Sequence, residues 1–419
     1  MTAASGVAQW FGSAGVPISA LWLALAIDHW LGEPPVRWHP VVWMGKYLGW
    51  IGQRIPSSPP QAFVAGALAW CVGASVVCGV AIALQRFLLV LPVWATIVAM
   101  ALLLKPLLAW RMLRAEVLAV ETALGISLDA GRVQLARLVS RDVAALSEDE
   151  VRESAIESLA ENLNDSVVAP IFWFVLFGLA GAVVYRFANT ADAMWGYRGE
   201  RGGRDWTWAG KWAARSDDVL SWLPARITAL LLLMTVRPSF KTMRALPYEA
   251  VRTPSPNSGW PMAAMGLALG VRLGKPGMYV LNATNPAPVA TDTARAASLG
   301  NRVVLMLAAI ASLLVHGYGD DATAARAWSR DVVRASTTFA EIDLAGSRDL
   351  VWQLAEPNKA LGPISIRAGD AIGGALQPIS GQAIIARRCQ PESGWPTHSS
   401  RALYQFSPRL SSDSTARPT

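Results

Sequence analysis

The sequence predicts an all-α, polytopic integral membrane protein with about four to six membrane-embedded helical segments and helical cytoplasmic loops. Three observations predict it. Of 419 residues, 53% are hydrophobic and only 16% are charged, against about 25% charged in a soluble domain. The mean hydropathy is +0.32. Apolar runs also recur between loops rich in Lys and Arg, the usual pattern of cytoplasmic membrane flanks. The net charge of +7 therefore reads as membrane flanks, with room for an anionic substrate, rather than as a nucleic-acid surface. Cys71, Cys78 and Cys389 form no CxxC or Cys/His spacing, so no disulfide framework and no zinc, haem or iron–sulfur site is expected. The first basic residue is Arg37, so no signal peptide is expected.

In chain order, 17–31 is a short apolar candidate that contains Asp28, which marks either a functional group or the true end of the helix. The run 62–84 is free of charge and long enough to cross a hydrocarbon core of about 30 Å. Gln85 and Arg86 form a short polar break, and a second run follows from Phe87 to Leu104 with Pro92 near its first turn. The pair reads as a helical hairpin. Residues 107–165 alternate polar and apolar at helical spacing. There "LDAGRVQLARLVSRD" offers Asp129 as an N-cap and an apolar face of Val133, Leu135, Leu138 and Val139. "SEDE", 147–150, is a capping box with Ser147 at N-cap and Glu150 at N3, opening a helix to about Asn162.

The next apolar run, 167–185, holds Pro170 near one end and Gly178 and Gly181 in its middle, with basic residues on both flanks. A simple span would place one basic flank outside, so a re-entrant hairpin with the glycines at its tip is favoured. Further candidate segments are 219–236 and 302–316. The chain divides into a membrane-embedded domain, 1–318, an extension, 319–389, with some amphipathic helix, and a Ser/Pro/Thr-rich tail, 390–419, expected to be disordered. No internal repeat is evident.

The polar residues cluster. In "ESAIESLAENLNDSVVAP", 153–170, the carboxylates Glu153, Glu157, Glu161 and Asp165 recur every fourth residue, on one helix face that ends at the apolar run. Such a face is usually solvated. Here Asn162, Asn164 and Asp165 carry the polarity to the membrane edge, and Asn189 and Asp192 lie beyond the next apolar run. Carboxylates in such places are expensive and tend to be functional. Other clusters hold Asp28 and His39, Arg198, the stretch Arg215 to Arg226 with Asp217-Asp218, and Ser255 with Asn257. His39, before Pro40, and Asp217-Asp218, at a helix start, also suit structural roles. Carboxylates and Asn carbonyls are hard ligands for Mg²⁺, and arginines fork onto phosphates. Neither a GxxxxGK[ST] nor a GxGxxG loop is present, and no hydrolase triad motif supports acyl hydrolysis.

Six stretches, in order, carry a resemblance: Asp28 with "GEPPVRWHPV", "RLVSRD", "IESLAENLNDSVVAPIF", "YRFANTADAMWGYR", "AARSDDVLSWLPARITALL" and "SPNSGWPMAAMGLALGVRLG". Over about residues 20–285 the chain resembles the CobD/CbiB family of cobalamin biosynthesis, the adenosylcobinamide-phosphate synthases. The resemblance implies a multi-pass enzyme of the cell inner membrane, with active-site loops facing the cytoplasm. Its substrates would be adenosylcobyric acid, a corrinoid, and aminopropanol or its O-phosphate, joined by an amide bond at the free propionate with ATP and Mg²⁺. Lipid would surround it, other corrin-pathway enzymes could gather on it, and no nucleic acid is involved.

Under that resemblance Glu157, Glu161, Asn162, Asp165 and Asp192 are the catalytic candidates, with Mg²⁺ on Glu161 and Asp165. Substrate and phosphate binding would fall to Asp28, His39, Asn189, Arg198, Arg215, Asp217, Asp218, Arg226, Ser255 and Asn257. A transporter for an anionic solute would also use broken helices with polar residues, but usually has repeated halves. A non-catalytic scaffold of corrin enzymes would explain the apolar runs but not the density of Asp, Asn and Arg.

Overall fold

The computed structural model describes residues 15–315 and, further on, an antiparallel pair of Ala355–Glu356 with Lys359–Ala360. The two belong to separate compact units, and everything below concerns the first. The expected extension and disordered tail, with Cys389, otherwise lie outside the described residues.

The architecture is mostly helical, as the composition requires. Four helical stretches, Pro59–Leu88, Val93–Leu124, Glu148–Trp195 and Ala290–Val315, are long and apolar enough to cross a membrane, the architecture of a multi-pass membrane protein. Helix α1 (Gly15–Leu31) packs on α4 (Val93–Leu104). The short α2 (Pro40–Gly52) leads to α3 (Pro59–Leu88). Along α3, Val64, Leu68, Val72, Val76, Val80 and Leu84 recur every fourth residue, and all are exposed. Water would penalise such a stripe, whereas lipid does not.

The hairpin of 62–104 is present, with its turn displaced. Helix α3 runs through Gln85 and Arg86 to Leu88, and Pro92 is the N-cap of α4. Gln85 does not break the helix because its polarity is used inside the protein: its Oε1 accepts a hydrogen bond from Leu179 N at 2.9 Å.

Helix α5 (Trp110–Leu124) and the short α6 (Leu128–Leu135) follow. The N-cap of α6 is Ser127, not Asp129, because Ser127 has the extended backbone of a cap and its Oγ accepts from Ala130 N. Asp129 instead pairs with Arg132 at 3.0 Å. Val133 is exposed, while Leu135 and Leu138 are buried, so the expected apolar face is narrower by that residue. Helix α7 (Glu148–Leu163) opens on Ser147 with both capping-box bonds formed.

Beyond a π-helical turn, Asn164–Val168, lies α8 (Ala169–Trp195), which is folded on itself. At Gly178 φ is 66° and ψ is −152°, a conformation open to glycine alone. A Cβ at Gly181 would stand 2.3 Å from the carbonyl oxygen of Trp173, an approach impossible in one straight helix. At the other end Arg186 bonds to the carbonyl of Asp165 at 3.1 Å. The two arms are therefore antiparallel, a helical hairpin. The longer arm, Leu179–Trp195, reaches roughly 25 Å, short of a core of about 30 Å.

Helix α9 (Lys211–Met234) begins before the apolar run 219–236 and carries Pro224 inside it. It packs on both α8 and α11 (Gly259–Leu269); α10 (Phe240–Ala250) lies between them in sequence. Glu200–Arg201 (β1) and Arg204–Asp205 (β2) form a small antiparallel pair, and a longer hairpin pairs Leu273–Lys275 (β3) with Tyr279–Leu281 (β4). Helix α12 starts at Ala290, well before the apolar run at 302, and Trp110 Nε1 ties α5 to it through Asn301 Oδ1 at 2.7 Å.

Candidate active site

The acidic stripe is not a solvated face. Residues 151–163 of α7 are all buried, and Glu153, Glu157 and Glu161 are only 4%, 5% and 6% exposed. Their surroundings differ. Glu153 pairs with Arg272 at 2.9 Å. Glu157 and Glu161 line a cleft of about 50 Å³ with Arg141, Ser154, Ser158, Lys275 and Tyr279. Arg141 Nη2 lies 3.8 Å from Glu157 Oε2 and also bonds Ser154 Oγ. The β3–β4 register puts Lys275 directly opposite Tyr279, which carries both side chains to the carboxylates. Burial, and after it Arg141, holds the Lys275 ammonium below its ordinary pKa. Burial, then Glu157 and Glu161, pushes the Tyr279 phenol far up, so its hydroxyl remains a donor. The cleft thus faces two carboxylates with two cations.

Asp165 belongs to a second group. It lies in the π-turn Asn164–Val168 and has partners that Glu157 and Glu161 do not share. Asn164 Nδ2 donates to Asp165 Oδ1 at 2.8 Å, and Thr228 Oγ1 donates to Asn164 Oδ1 at 3.0 Å. Tyr185 OH lies 3.5 Å from the same Asp165 oxygen and 3.1 Å from Ser221 Oγ, which bonds Asp217 Oδ2 at 3.4 Å. Burial first, then Asp192, pushes the Asp218 carboxyl up to about 7; Asp165 adds to this and Arg198 opposes it. Asp165, Asp192 and Asp218 therefore share one field, with Arg198 facing it. Burial lowers the Arg198 pKa. Asn189 accepts from Arg186 at 3.3 Å. Asn162 Nδ2 bonds back to the Ser158 carbonyl at 2.9 Å, and its Oδ1 has no hydrogen-bond partner among the described residues. Tyr197 lies between the two groups: Arg201 stacks on its ring at 3.8 Å, its hydroxyl meets Ser140 at the cleft, and it feels the charge of Asp192.

The other candidates lie around these groups. Arg226 is held between the rings of Trp222 and Trp260, at 4.2 and 4.6 Å, and donates to Asn257 Oδ1 at 3.3 Å. Asn257 Nδ2 donates to the Asp218 carbonyl at 2.7 Å, and Ser255 Oγ accepts from the backbone of Asn257 and Ser258. These three fasten the 255–258 turn to α9 beside Asp218. Arg215 is exposed. Asp28 and His39 form a separate buried network through Lys105, which pairs with Asp28 at 3.2 Å and Glu33 at 2.8 Å; His39 faces Glu33 at 3.3 Å.

Sequence reasoning missed Arg141, Lys275, Tyr279 and Tyr197 as site residues. The "KPG" that turns β3 into β4 was a usable hairpin signal; the meeting of that hairpin with α7 was not visible.

No three His, Cys, Asp or Glu side chains among the described residues close into a metal cage. The buried Asp165 and Asp192 and the part-buried Asp218 share one electrostatic neighbourhood instead. That fits Mg²⁺, which keeps several waters and leans on one or two carboxylates plus substrate phosphates. Glu161 lies in the other group, beside Lys275.

A family profile described as CobD/Cbib protein matches residues 21–307. The chain is 42% identical over 272 residues to a probable cobalamin biosynthesis protein CobD of Methanothermobacter thermautotrophicus, covering 63% of this chain and 86% of that protein. The probable CobD of Pyrococcus abyssi is 42% identical over 267 residues, covering 63% and 85%. The cobalamin biosynthesis protein CobD of Chromobacterium violaceum is 38% identical over 308 residues, covering 70% and 95%. No solved structure matches the chain.

Proposed function

Because the chain belongs to the CobD/CbiB family of cobalamin biosynthesis, we propose that it joins an aminoalkyl phosphate to the free propionate of adenosylcobyric acid in an ATP-dependent amide ligation. A carboxylate is a poor acyl donor because oxide is its leaving group. Transfer of the γ-phosphoryl group of ATP to a propionate oxygen releases ADP and leaves an acyl phosphate. The amine nitrogen then attacks the carbonyl carbon, phosphate departs with its bonding electrons, and the amine loses a proton to a carboxylate.

The observation that carries this reading is the cleft in which Arg141 and Lys275 face Glu157 and Glu161. An aminoalkyl phosphate is a zwitterion with the matching pattern: its phosphate suits Arg141, Lys275 and the Tyr279 hydroxyl, and its ammonium suits the two glutamates. One glutamate takes a proton from the ammonium, freeing the lone pair for attack, and the other takes the second proton from the nitrogen as phosphate departs. Asp165, Asp192 and Asp218 would hold Mg²⁺ on the nucleotide phosphates, where the ion offsets their charge. Thr228, Asn164 and Tyr185 keep Asp165 in place, and Arg198 faces the transferring phosphoryl group. The site loops face the cytoplasm, where ATP is available.

The test is to incubate the purified protein with adenosylcobyric acid, aminopropanol phosphate, ATP and Mg²⁺. A product carrying the added amide mass, formed with ADP in equal amount, is expected. Solute movement across proteoliposomes without amide formation would instead mark a transporter.

A further inference from the structure

A second cavity among the described residues lies away from the acidic cleft. It measures about 810 Å³ between the end of α1, α2, α3, α4 and the second arm of the hairpin. We propose that this cavity is a binding site for one anionic membrane phospholipid, with an acyl chain inside and the headgroup at its Trp-lined mouth.

Its walls exclude a polar occupant. Val76, Val80 and Leu84 of α3 face Leu102 of α4 and Leu179 and Val183 of the hairpin. The only charged residues in the lining, Glu33 and Lys105, are paired with each other at 2.8 Å. The peripheral amides of a corrin would find almost no partners there, and burying them unpaired is costly. Location names the source of the occupant. Val76, Val80 and Leu84 also belong to the exposed stripe of α3, so the cavity opens sideways onto the lipid-facing surface of a helix long enough to span. At the mouth stand Trp38 and Trp43, 63% and 50% exposed, as indoles do at the headgroup level. Exposed Arg37 and Lys46 sit beside the lining residues Trp38 and Tyr47, and Arg37 lies 5.8 Å from the Trp38 ring. Neither cation pairs with a carboxylate among the described residues, so both favour an anionic headgroup. The inner wall is the same helical arm that carries Arg186 and Asn189, so the bound chain braces the back of the site. The inference is independent of the proposed reaction.

The protein is purified in mild detergent and studied by native mass spectrometry, then returned to nanodiscs of phosphatidylcholine with or without phosphatidylglycerol. A retained phospholipid is expected, with phosphatidylglycerol preferred about tenfold. Val80→Trp and Leu102→Trp, which fill the cavity from exposed positions, should lose it. Arg37→Ala with Lys46→Ala should keep a lipid but lose the preference. A wild-type protein that retains none, or tryptophan variants that retain it unchanged, would overturn the proposal. So would displacement of the lipid by cobyric acid, which would make the cavity a corrinoid site. A photoactivatable diazirine phosphatidylglycerol, applied to the wild-type protein, gives an arm free of folding effects. Cross-links to 76–84 and 179–187 support the site, and cross-links confined to other segments refute it. Lipid binding is read without substrates, so a failure of the ligation reading leaves these results untouched.

Discussion

Asp165 is fixed by Asn164, by Tyr185 and, behind them, by Thr228. Glu161 instead faces Lys275 across the cleft. Replacing either carboxylate by its amide keeps the shape and removes a charge that the reaction needs. Glu161→Gln and Asp165→Asn should each lower amide formation by about 10²–10³-fold. Only Asp165→Asn should be partly rescued by added Mg²⁺, because Asp165, unlike Glu161, shares the neighbourhood of Asp192 and Asp218; a rate series against Mg²⁺ at matched expression decides. Glu153→Gln loses an ion pair with the part-exposed Arg272, so it should lower thermal stability by about 1 kcal/mol and leave turnover near normal. Lys275→Ala removes one charge-assisted bond to the amine phosphate, which should raise its KM about 10- to 100-fold with a smaller change in kcat. Asp218 adds a pH signature. Burial and Asp192 raise its carboxyl to about 7, against an ordinary value of about 3.9. Between those values the folded protein keeps a proton that the unfolded chain has lost, so stability falls as pH rises through the folded pKa. Asp218→Asn should flatten that slope in melting curves of metal-free protein. Equal slopes would show that Asp218 is not held protonated.

At the scale of elements, the helical hairpin decides where the site stands. Its first arm brings Asp165 and its second Arg186, Asn189 and Asp192 to a common base, while Gln85 of α3 caps the second arm at the tip. Gly178→Ala would force a side chain into a positive φ and set its Cβ 2.3 Å from Gln85 Oε1. It should destabilise the protein by more than about 1 kcal/mol, read as a lower melting temperature, and Gln85→Ala by about 1 kcal/mol through the lost cap. A re-entrant hairpin keeps both its ends on one side of the membrane. Single cysteines at 150 and 205 should be labelled from the same side of the membrane, and labelling from opposite sides would turn the hairpin into a span. This element was legible because two glycines interrupt an apolar run between two basic flanks. The α3–α4 turn was misjudged by a few residues because Gln85 and Arg86 looked like a water-facing break; the tip of the hairpin, which is remote in sequence, gives Gln85 its partner.

Over the whole molecule, the membrane-embedded unit holds every site residue discussed. Truncation after Arg388 should therefore leave ligation intact in a membrane fraction with normal insertion; loss of activity would give the tail a role. Loops 32–61, 105–165 and 186–218 should all be accessible from the cytoplasmic side, read by protease protection in inverted vesicles.

Periodicity, capping and composition are local quantities, and they determined the helical membrane class, the capping box at Ser147, the broken run at Gly178 and the stretches shared with the family. They placed Glu157, Glu161 and Asp165 on one line. Only the tertiary structure decided that this line is buried, that a π-turn holds its last carboxylate, and that the β3–β4 hairpin brings Lys275 and Tyr279 to its first part. It also decided that Arg226 is clamped between two tryptophans and Arg215 left outside. The reason is that a charge in the sequence has no partner until the chain has folded. Whether an arginine meets a phosphate, a carboxylate or an indole depends on contacts between segments far apart in sequence, which no local pattern records.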